Sequence, residues 1–570
     1  MKMNKIFKLA AVVLGASVLA TGCIQETHQL GGSATSDQVG ASPFAADGMI
    51  ASIPAILITN NIYGGDYHDD FGYPSLMIHT DHAIGEVFPS NWYSGGNQYY
   101  DRFQFYHYQM SIGPTGYCSL FWYNYYQFIK ATNDLISVCG DSETLAEQRG
   151  IAKTYRALYY LDLARLYDPL YAVSTERPEY QAALANIQGL TVPFIDENTT
   201  EDDAKNNPRL PRGEMFQLIF NDLNDAEKGL ADYVPASKDL PTLAVVYGLK
   251  ARAYLWLGGF QESDFLAGDY DTTKYPDVLI GNDAYAKAAE YARKAITASG
   301  CQPLTEAEYC DPINGFCTIN NSWMLGMIQS AETVLSNLHS WAAHMCPTAG
   351  WGYGSGAQPG VRKATYERMS NTDFRKKLIV GPNTTYADYK DVTDLTEEEW
   401  VSGGLEGKGI RTYCHLKFRT RGEKVSSTTG NVVDIPVMRI EEMYFIEAEA
   451  SEHVAPGTGK QLITSFMTAH RDPKYTVPAG ADVVEEIIFQ KRCEFWGEGV
   501  MIYDFKRLDM GIDNAYEGSN APGGTDFSTS GRCPAWNICI PQTETQQNAA
   551  LDGKNNPDPS RTLKPKSEAA

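Results

Sequence analysis

Beyond Cys23 the chain has no apolar run approaching the ~20 residues that a membrane-crossing helix needs. Positive charge is also short: 47 Lys and Arg against 70 Asp and Glu leave a formal net charge of -23. DNA, RNA and anionic membrane surfaces each demand a basic face, so all are excluded as partners, while neutral ligands such as sugars stay open. Catalytic signatures are missing as well. There is no HExxH, and Gly352-Tyr353-Gly354-Ser355-Gly356 puts Tyr353 where a GxSxG elbow needs its first glycine. Cysteine is present but never as CxxC, which removes the usual zinc framework. Cys301, Cys310 and Cys317 cluster, as do Cys533 and Cys539, without a spacing from which disulfide pairing follows.

What is present begins with an export segment. Lys2, Lys5 and Lys8 precede an apolar run from Leu9 to Ala20, and Ala20-Thr21-Gly22-Cys23 ends in a small residue before cysteine. This resembles a bacterial lipoprotein signal, with Ala20 where the usual lipobox has Leu. Residues 1–22 are then a signal peptide and Cys23 is the lipidated N-terminus. Residues 23–47, rich in Gly, Ser, Ala and Gln, form a flexible tether. In an exported chain the ten cysteines after Cys23 are free to form disulfides or to stay as buried thiols.

The body, residues 48–570, reads as mainly α, with helix pairs of tetratricopeptide character forming a scaffold and long irregular loop-rich insertions carrying a ligand face. In Gly150–Tyr171, Ala152, Tyr155, Tyr159, Leu163 and Leu166 recur at steps of three and four, which predicts one buried helical stripe. Ala157 and Ala164 on a second track admit a close neighbour, and Lys153, Arg156 and Arg165 are expected to keep their charged ends in water. Asp168-Pro169 stops the helix. Similar periodicity predicts helices over 119–138, 211–230, 241–257, 285–296, 438–452, 460–470 and 483–496. Helix pairs fill residues 48–300, the signal fades over 301–430 where Gly, Trp, Ser and Asn dominate, and it resumes over 431–570.

A sugar site needs flat apolar faces for the C–H side of a ring, and amides or carboxylates for its hydroxyls. Asn91 to Tyr100 supplies both within one loop, with Trp92, Tyr93, Asn97 and Tyr99 as candidates. Trp323, Trp341, Trp351 and Tyr353, with Asn337 and Gln358, make a second set, of which Trp341, Trp351 and Tyr353 are the leading candidates. His339, His344 and Cys346 lie close in sequence, as do Asp66, His68, Asp69, Asp70, His79, Asp81 and His82. Neither run has regular ligand spacing, so no metal site and no cofactor is assigned. Arg439, Glu442, Glu449, Glu494, Glu498 and Asp504 fall on helices and are read as structural ion pairs and caps, not as a catalytic cluster.

Several motifs resemble those of the SusD/RagB family, surface lipoproteins that partner TonB-dependent transporters in nutrient uptake. Ile435-Pro436-Val437-Met438-Arg439, Glu442 and Ala448-Glu449-Ala450 match the family's C-terminal helix. Glu494, Glu498-Gly499, Asp504 and Arg507 match the segment that follows, and Ile540-Pro541-Gln542, Glu544 and Asn548 the closing one. Nearer the N-terminus, Trp122, Tyr126, Ile129 and Asn133 fit, as do Arg156-Ala157 with Tyr167 and Lys250-Ala251-Arg252 with Tyr254. Met501, Gln490 and Asp168 depart from the family pattern, and Glu26 alone stands where such lipoproteins often carry an acidic export signal. The resemblance covers about residues 45 to 570. It implies a non-enzymatic, outer-membrane lipoprotein facing the cell exterior, which binds an oligosaccharide and passes it to a SusC-like barrel. A peptide ligand, a lipoprotein glycoside hydrolase and a purely structural repeat scaffold are the alternatives. Cys23→Ala should abolish lipid labelling and membrane partition of the exported protein; lipid-labelled variant in the membrane fraction would overturn the reading of the N-terminus.

Overall fold

The computed structural model describes residues 45–60, 62, 68–90, 117–172, 177–330, 338–403, 409–422, 432–522, 525–560, 562–564 and 566. The periodic stretches are realised as helices close to their expected bounds. After two short helices (Ala45–Ile50 and Ser52–Ile56) come α1 (Tyr73–Ala83), a short strand β1 (Phe88–Pro89), α2 (Tyr117–Cys139), α3 (Ala146–Tyr167), α4 (Arg212–Gly229), α5 (Leu243–Gly258) and α6 (Gly281–Ser299). Strand β2 (Trp323–Met327), two short helices α7 (Trp341–Met345) and α8 (Tyr353–Ala357), and strand β3 (Pro359–Gly360) follow. Strand β4 (Ile435–Arg439) leads directly into α9 (Ile440–Val454), followed by α10 (Thr458–His470), α11 (Val483–Phe495) and α12 (Met501–Arg507), with shorter helices such as Glu179–Ala185 and Gln542–Gln547 in the connections and the tail.

Successive helices pack on one another in a row, α2 on α3, α3 on α4, α4 on α5 and α5 on α6, after which α6 packs on α9 and α9 on α10 and α11. The stack of helix pairs therefore runs into the C-terminal helices without a break, and one hydrophobic core extends from Ala46 to Leu563. Two antiparallel pairs supplement it, β2 with β4 and β1 with β3. The 301–430 region is built of short helices and turns, but it is not wholly irregular. It contributes β2, whose Trp323 lies opposite Arg439 of β4 and is fully buried.

Helix α3 shows why the row is tight. Ala152, Tyr155, Tyr159, Leu163 and Leu166 are each no more than 1% exposed, and Ala157 and Ala164 are buried on the second track. At the start of α3 a Cβ on Gly229 of α4 would fall 2.4 Å from the carbonyl oxygen of Ala146, so only glycine admits this approach. Helix α3 is enclosed on nearly every side, and this corrects the expectation for its arginines. Arg156 forks onto Asp222 of α4 at 2.7 and 2.8 Å, and Arg165 binds Asp162 at 2.6 Å and covers the ring of Tyr503. Both are buried, because an acid from α4 neutralises Arg156 and one from the preceding turn neutralises Arg165.

The motif residues prove to be links between elements. Tyr126 and Asn133 of α2 donate to the carbonyls of Pro193 and Ile195 and so pin that loop. Arg252 of α5 forks onto Glu442 of α9 at 2.7 and 2.6 Å, and Arg507 of α12 reaches Glu449 at 2.5 Å and Asp504 at 2.9 Å. The departures from the family pattern serve the same end. Asp168, which caps α3, pairs with Arg212 with both side chains fully buried, and Gln490 accepts from Arg375 at 2.5 Å while donating to Glu486 at 2.9 Å. The cysteines after Cys23 are buried; Cys139, Cys301, Cys310, Cys317, Cys346, Cys414, Cys493, Cys533 and Cys539 are free thiols. Burial pushes the Cys118 and Cys493 thiols up to about 12.

Leu163→Asp should lower the melting temperature sharply or abolish folding, since a buried charge without a partner costs more than about 3 kcal/mol. Val234→Asp, at an 86% exposed position, should leave it unchanged. Equal melting of both variants and the wild type would place the buried stripe on the wrong face.

Candidate functional site

The turn Gly350-Trp351-Gly352 is the starting point. Both glycines have positive φ, 78° and 106°, and a Cβ on Gly352 would lie 2.8 Å from the carbonyl oxygen of Ala343. The turn lies close against α7, and Trp351, 38% exposed, is one of few large apolar side chains left facing solvent among the described residues. Directly after it, Tyr353 opens α8 and is nearly buried. Its ring stacks on His344 with centroids 4.9 Å apart, and His344 stacks in turn on Phe71 at 5.0 Å. The Tyr353 hydroxyl lies 2.5 Å from Nδ1 of His68, whose ring meets His339 edge-on at 5.0 Å.

These contacts sew two distant stretches together, residues 68–71 and residues 338–353. His344 does so twice, since its Nε2–H faces both the His68 carbonyl at 3.0 Å and the Leu338 carbonyl at 2.9 Å. Burial pushes His344 down to about 4, and burial together with neighbouring His79 and His344 pushes His82 down to about 3, so both are neutral imidazoles at neutral pH. His68, His339 and His344 pack against aromatic rings, and His68 and His344 also hydrogen-bond to neighbouring groups. Among the described residues no group of three or more His, Cys, Asp or Glu side chains is arranged to hold a metal ion.

A second seam lies just beyond. Phe88 and Pro89 of β1 pair with Gly360 and Pro359 of β3, and the Ser90 N–H donates to the Gln358 carbonyl at 2.9 Å. Ser90 immediately precedes residues 91–116, which contain Trp92, Tyr93, Asn97 and Tyr99 and lie outside the described residues. The stem of the first aromatic stretch thus abuts the stretch that carries Trp351 and Tyr353. Two-residue strands have no alternation to read, so this pairing was not visible in the sequence; nor was the role of Phe71, His68 and His344 as its underlay.

Trp341 needs correction. It is 1% exposed, on α7 under a Ser340 cap, with its ring edge-on to Phe418 at 5.0 Å; no face is open for a ligand. Trp323 and Gln358 are buried too, and Asn337 lies outside the described residues. Two larger hollows elsewhere have the wrong chemistry for stacking. One of about 610 Å³ is lined by Arg149, Lys153, Glu197, Asp225 and Lys228 with no aromatic ring. Another of about 890 Å³ is mainly acidic, and its one aromatic, Tyr389, lies stacked on Trp400.

The arrangement hangs on α1, which delivers β1. At its C-terminal end the Asp81 carboxylate accepts the Gly499 N–H at 3.1 Å, and Thr80 donates to the Gly499 carbonyl at 3.3 Å. Burial pushes the Asp81 carboxyl up to about 8 from its ordinary 3.8, only partly offset by the Gly499 N–H. For an acid raised in this way the folded state holds a proton that the unfolded chain has lost, so its contribution to stability falls as pH rises from 3.8 to about 8. Asp81→Asn keeps an acceptor for Gly499 and removes that slope. The stability of the variant minus that of the wild type should therefore grow by a few kcal/mol between pH 5 and pH 9, read from denaturant unfolding. A difference that does not change with pH would refute it.

With this geometry in place, the chain can be set beside known proteins. Residues 353–558 match the model of the SusD family. The whole fold is similar to a SusD-like carbohydrate binding protein from Bacteroides vulgatus, with 20% identity, coverage of 89% of this chain and 96% of that one, and a TM-score of 0.64. It is also similar to a SusD superfamily protein from Bacteroides thetaiotaomicron, with 16% identity, 90% and 99% coverage and a TM-score of 0.62. A third likeness is to surface glycan-binding protein A of Bacteroides thetaiotaomicron in complex with laminarihexaose, with 15% identity, 90% and 99% coverage and a TM-score of 0.59. At these identities the structural likeness is one of fold. No curated protein matches the chain in sequence.

Proposed function

We propose that this SusD-like chain is a lipid-anchored outer-membrane protein that binds an oligosaccharide at the cell surface and delivers it to a SusC-like TonB-dependent barrel, without itself cleaving the ligand. The observation that carries the reading is the β1–β3 seam, which sets Phe88, Pro89 and Ser90, the residues that precede 91–116 in the chain, against the segment that follows the exposed Trp351. Both stretches, 91–100 and 338–358, have the composition that sugar rings require, flat apolar surfaces with hydrogen-bonding groups nearby in sequence. A protein of the same fold bound to laminarihexaose supports the ligand class, and the net charge of -23 favours a neutral ligand over an anionic one. Trp92, Tyr93, Asn97 and Tyr99, with Trp351 and Tyr353, are the ligand residues of this reading. Trp351 stacks on the ring, while Tyr353, held by His344 and His68, shapes the floor beneath it.

Calorimetric titration of the full lipoprotein in detergent against laminarihexaose, a panel of polysaccharides and a panel of peptides tests the proposal. A glycan should bind, with no reducing sugar released, and Trp351→Ala should weaken it by roughly tenfold while the melting temperature changes little, because a side chain on an open turn leaves no core cavity. Binding of peptides alone would shift the ligand class. Trp351→Ala with wild-type affinity and a large fall in melting temperature would take this residue out of the ligand site.

A further inference from the structure

Gln358 is buried, and α8, Ser90 and residues 409–411 converge on it. It is 2% exposed and has φ 52° and ψ 80°, a left-handed backbone that a side chain other than Gly, Asn or Asp seldom adopts. Such a conformation persists only where the surroundings over-determine it, and here they do so through every polar group the residue has. Its N–H caps α8 by donating to the Gly354 carbonyl at 2.9 Å, and its carbonyl accepts the Ser90 N–H at 2.9 Å. In the side chain, Nε2 donates to the Gly409 carbonyl and Oε1 accepts the Arg411 N–H, both at 2.8 Å.

The next residues are gripped on both sides. The His415 N–H donates to the Pro359 carbonyl and the Val361 N–H to the Tyr413 carbonyl, each at 2.9 Å, while Phe88 and Pro89 pair along the other edge. Gly360 is confined enough that a Cβ would come 2.1 Å from Ser90 Oγ and 2.4 Å from the Tyr413 carbonyl oxygen. The strand is thus held by its backbone alone. Where the chain passes between that strand and α8, the Gln358 amide ties it to residues 409–411.

We propose that Gln358 is a positioning residue: its amide clamps residues 409–411 while its left-handed backbone joins α8 to Ser90, and so it holds α8 and the Trp351 turn in place against the end of β1. This rests on the proposed function for the ligand, but the clamp itself has a readout without one. A ligand stacked on Trp351 binds well only if that turn is already in place, so loosening the clamp costs affinity by making binding pay for ordering.

The test uses Gln358→Gly and Gln358→Asn in the full lipoprotein. Both residues tolerate a left-handed backbone, so both variants retain the fold. Glycine has no amide, and the asparagine amide is one methylene too short to bridge Gly409 and Arg411. Each should bind laminarihexaose, or the polysaccharide found by titration, roughly tenfold more weakly, the equivalent of about one lost charge-free hydrogen bond. Melting temperatures should fall by a few degrees with folding retained, as one buried hydrogen-bonded amide is lost, and hydrogen exchange at the Arg411 amide should speed up in the absence of ligand. Wild-type affinity in folded variants would overturn the proposal, as would unchanged exchange at Arg411. If the wild-type protein binds no glycan, the functional reading fails and the exchange measurement alone decides the clamp.

Discussion

Three guanidinium groups converge on the carboxylate of Glu494 in a site that water does not reach. Arg471 forks onto it at 2.7 and 2.9 Å, Arg439 approaches at 3.1 Å and Arg375 at 3.2 Å. Burial alone would raise this carboxyl, but Arg471, Arg439 and Arg375 hold it well below the usual carboxylate range. The arginines are balanced in turn by Glu441, Glu498 and Asp373, and Lys417 completes the set on Glu498. Such a network stands only when every partner is present, since removing one strands a buried charge at a cost of about 3–5 kcal/mol. It therefore constrains geometry more than it adds net stability. It joins the end of β4, α10, α11 and the residues around 375 and 417, while Arg252–Glu442 and Arg156–Asp222 extend the same logic back through the stack of helix pairs.

The ligand face inherits its placement from that frame. Residue 417 of the network lies beside the 413–415 stretch that grips β3, and Gly499, just after Glu498, anchors Asp81 at the end of α1. From α1 the chain runs to β1 and Ser90; from β3 it runs back to α8 and Trp351. A loop surface with little regular structure of its own is thus fastened at both ends to a scaffold that the buried charges keep in one register.

What was legible in the residues, and what was not, follows from the range of each signal. The stripe on α3 could be read because burial repeats every three or four residues within one segment, and the ion-pair role of Glu494 and Glu498 could be read because their motif came with the family resemblance. Arg156 was misjudged because its acid, Asp222, lies on another helix, and Arg165 because the ring of Tyr503 that covers it lies far along the chain, although its acid Asp162 is one turn away. Trp341 was placed on the ligand face because a Gly-, Ser- and Trp-rich stretch has no period to mark burial; its fate depends on Phe418, far along the chain. The β1–β3 seam and the Gln358 clamp left no local trace at all, being two-residue pairings and one strained backbone.

The claim at the centre is that a glycan is held where residues 68–90 meet residues 338–358. Hydrogen exchange by mass spectrometry, on the wild-type lipoprotein with and without saturating glycan, tests it most directly. The account predicts new protection over 84–90 and 338–358 and none over 136–153 or 225–229, the charged hollow beside α3 and α4. Protection of that hollow with 338–358 unchanged would contradict it.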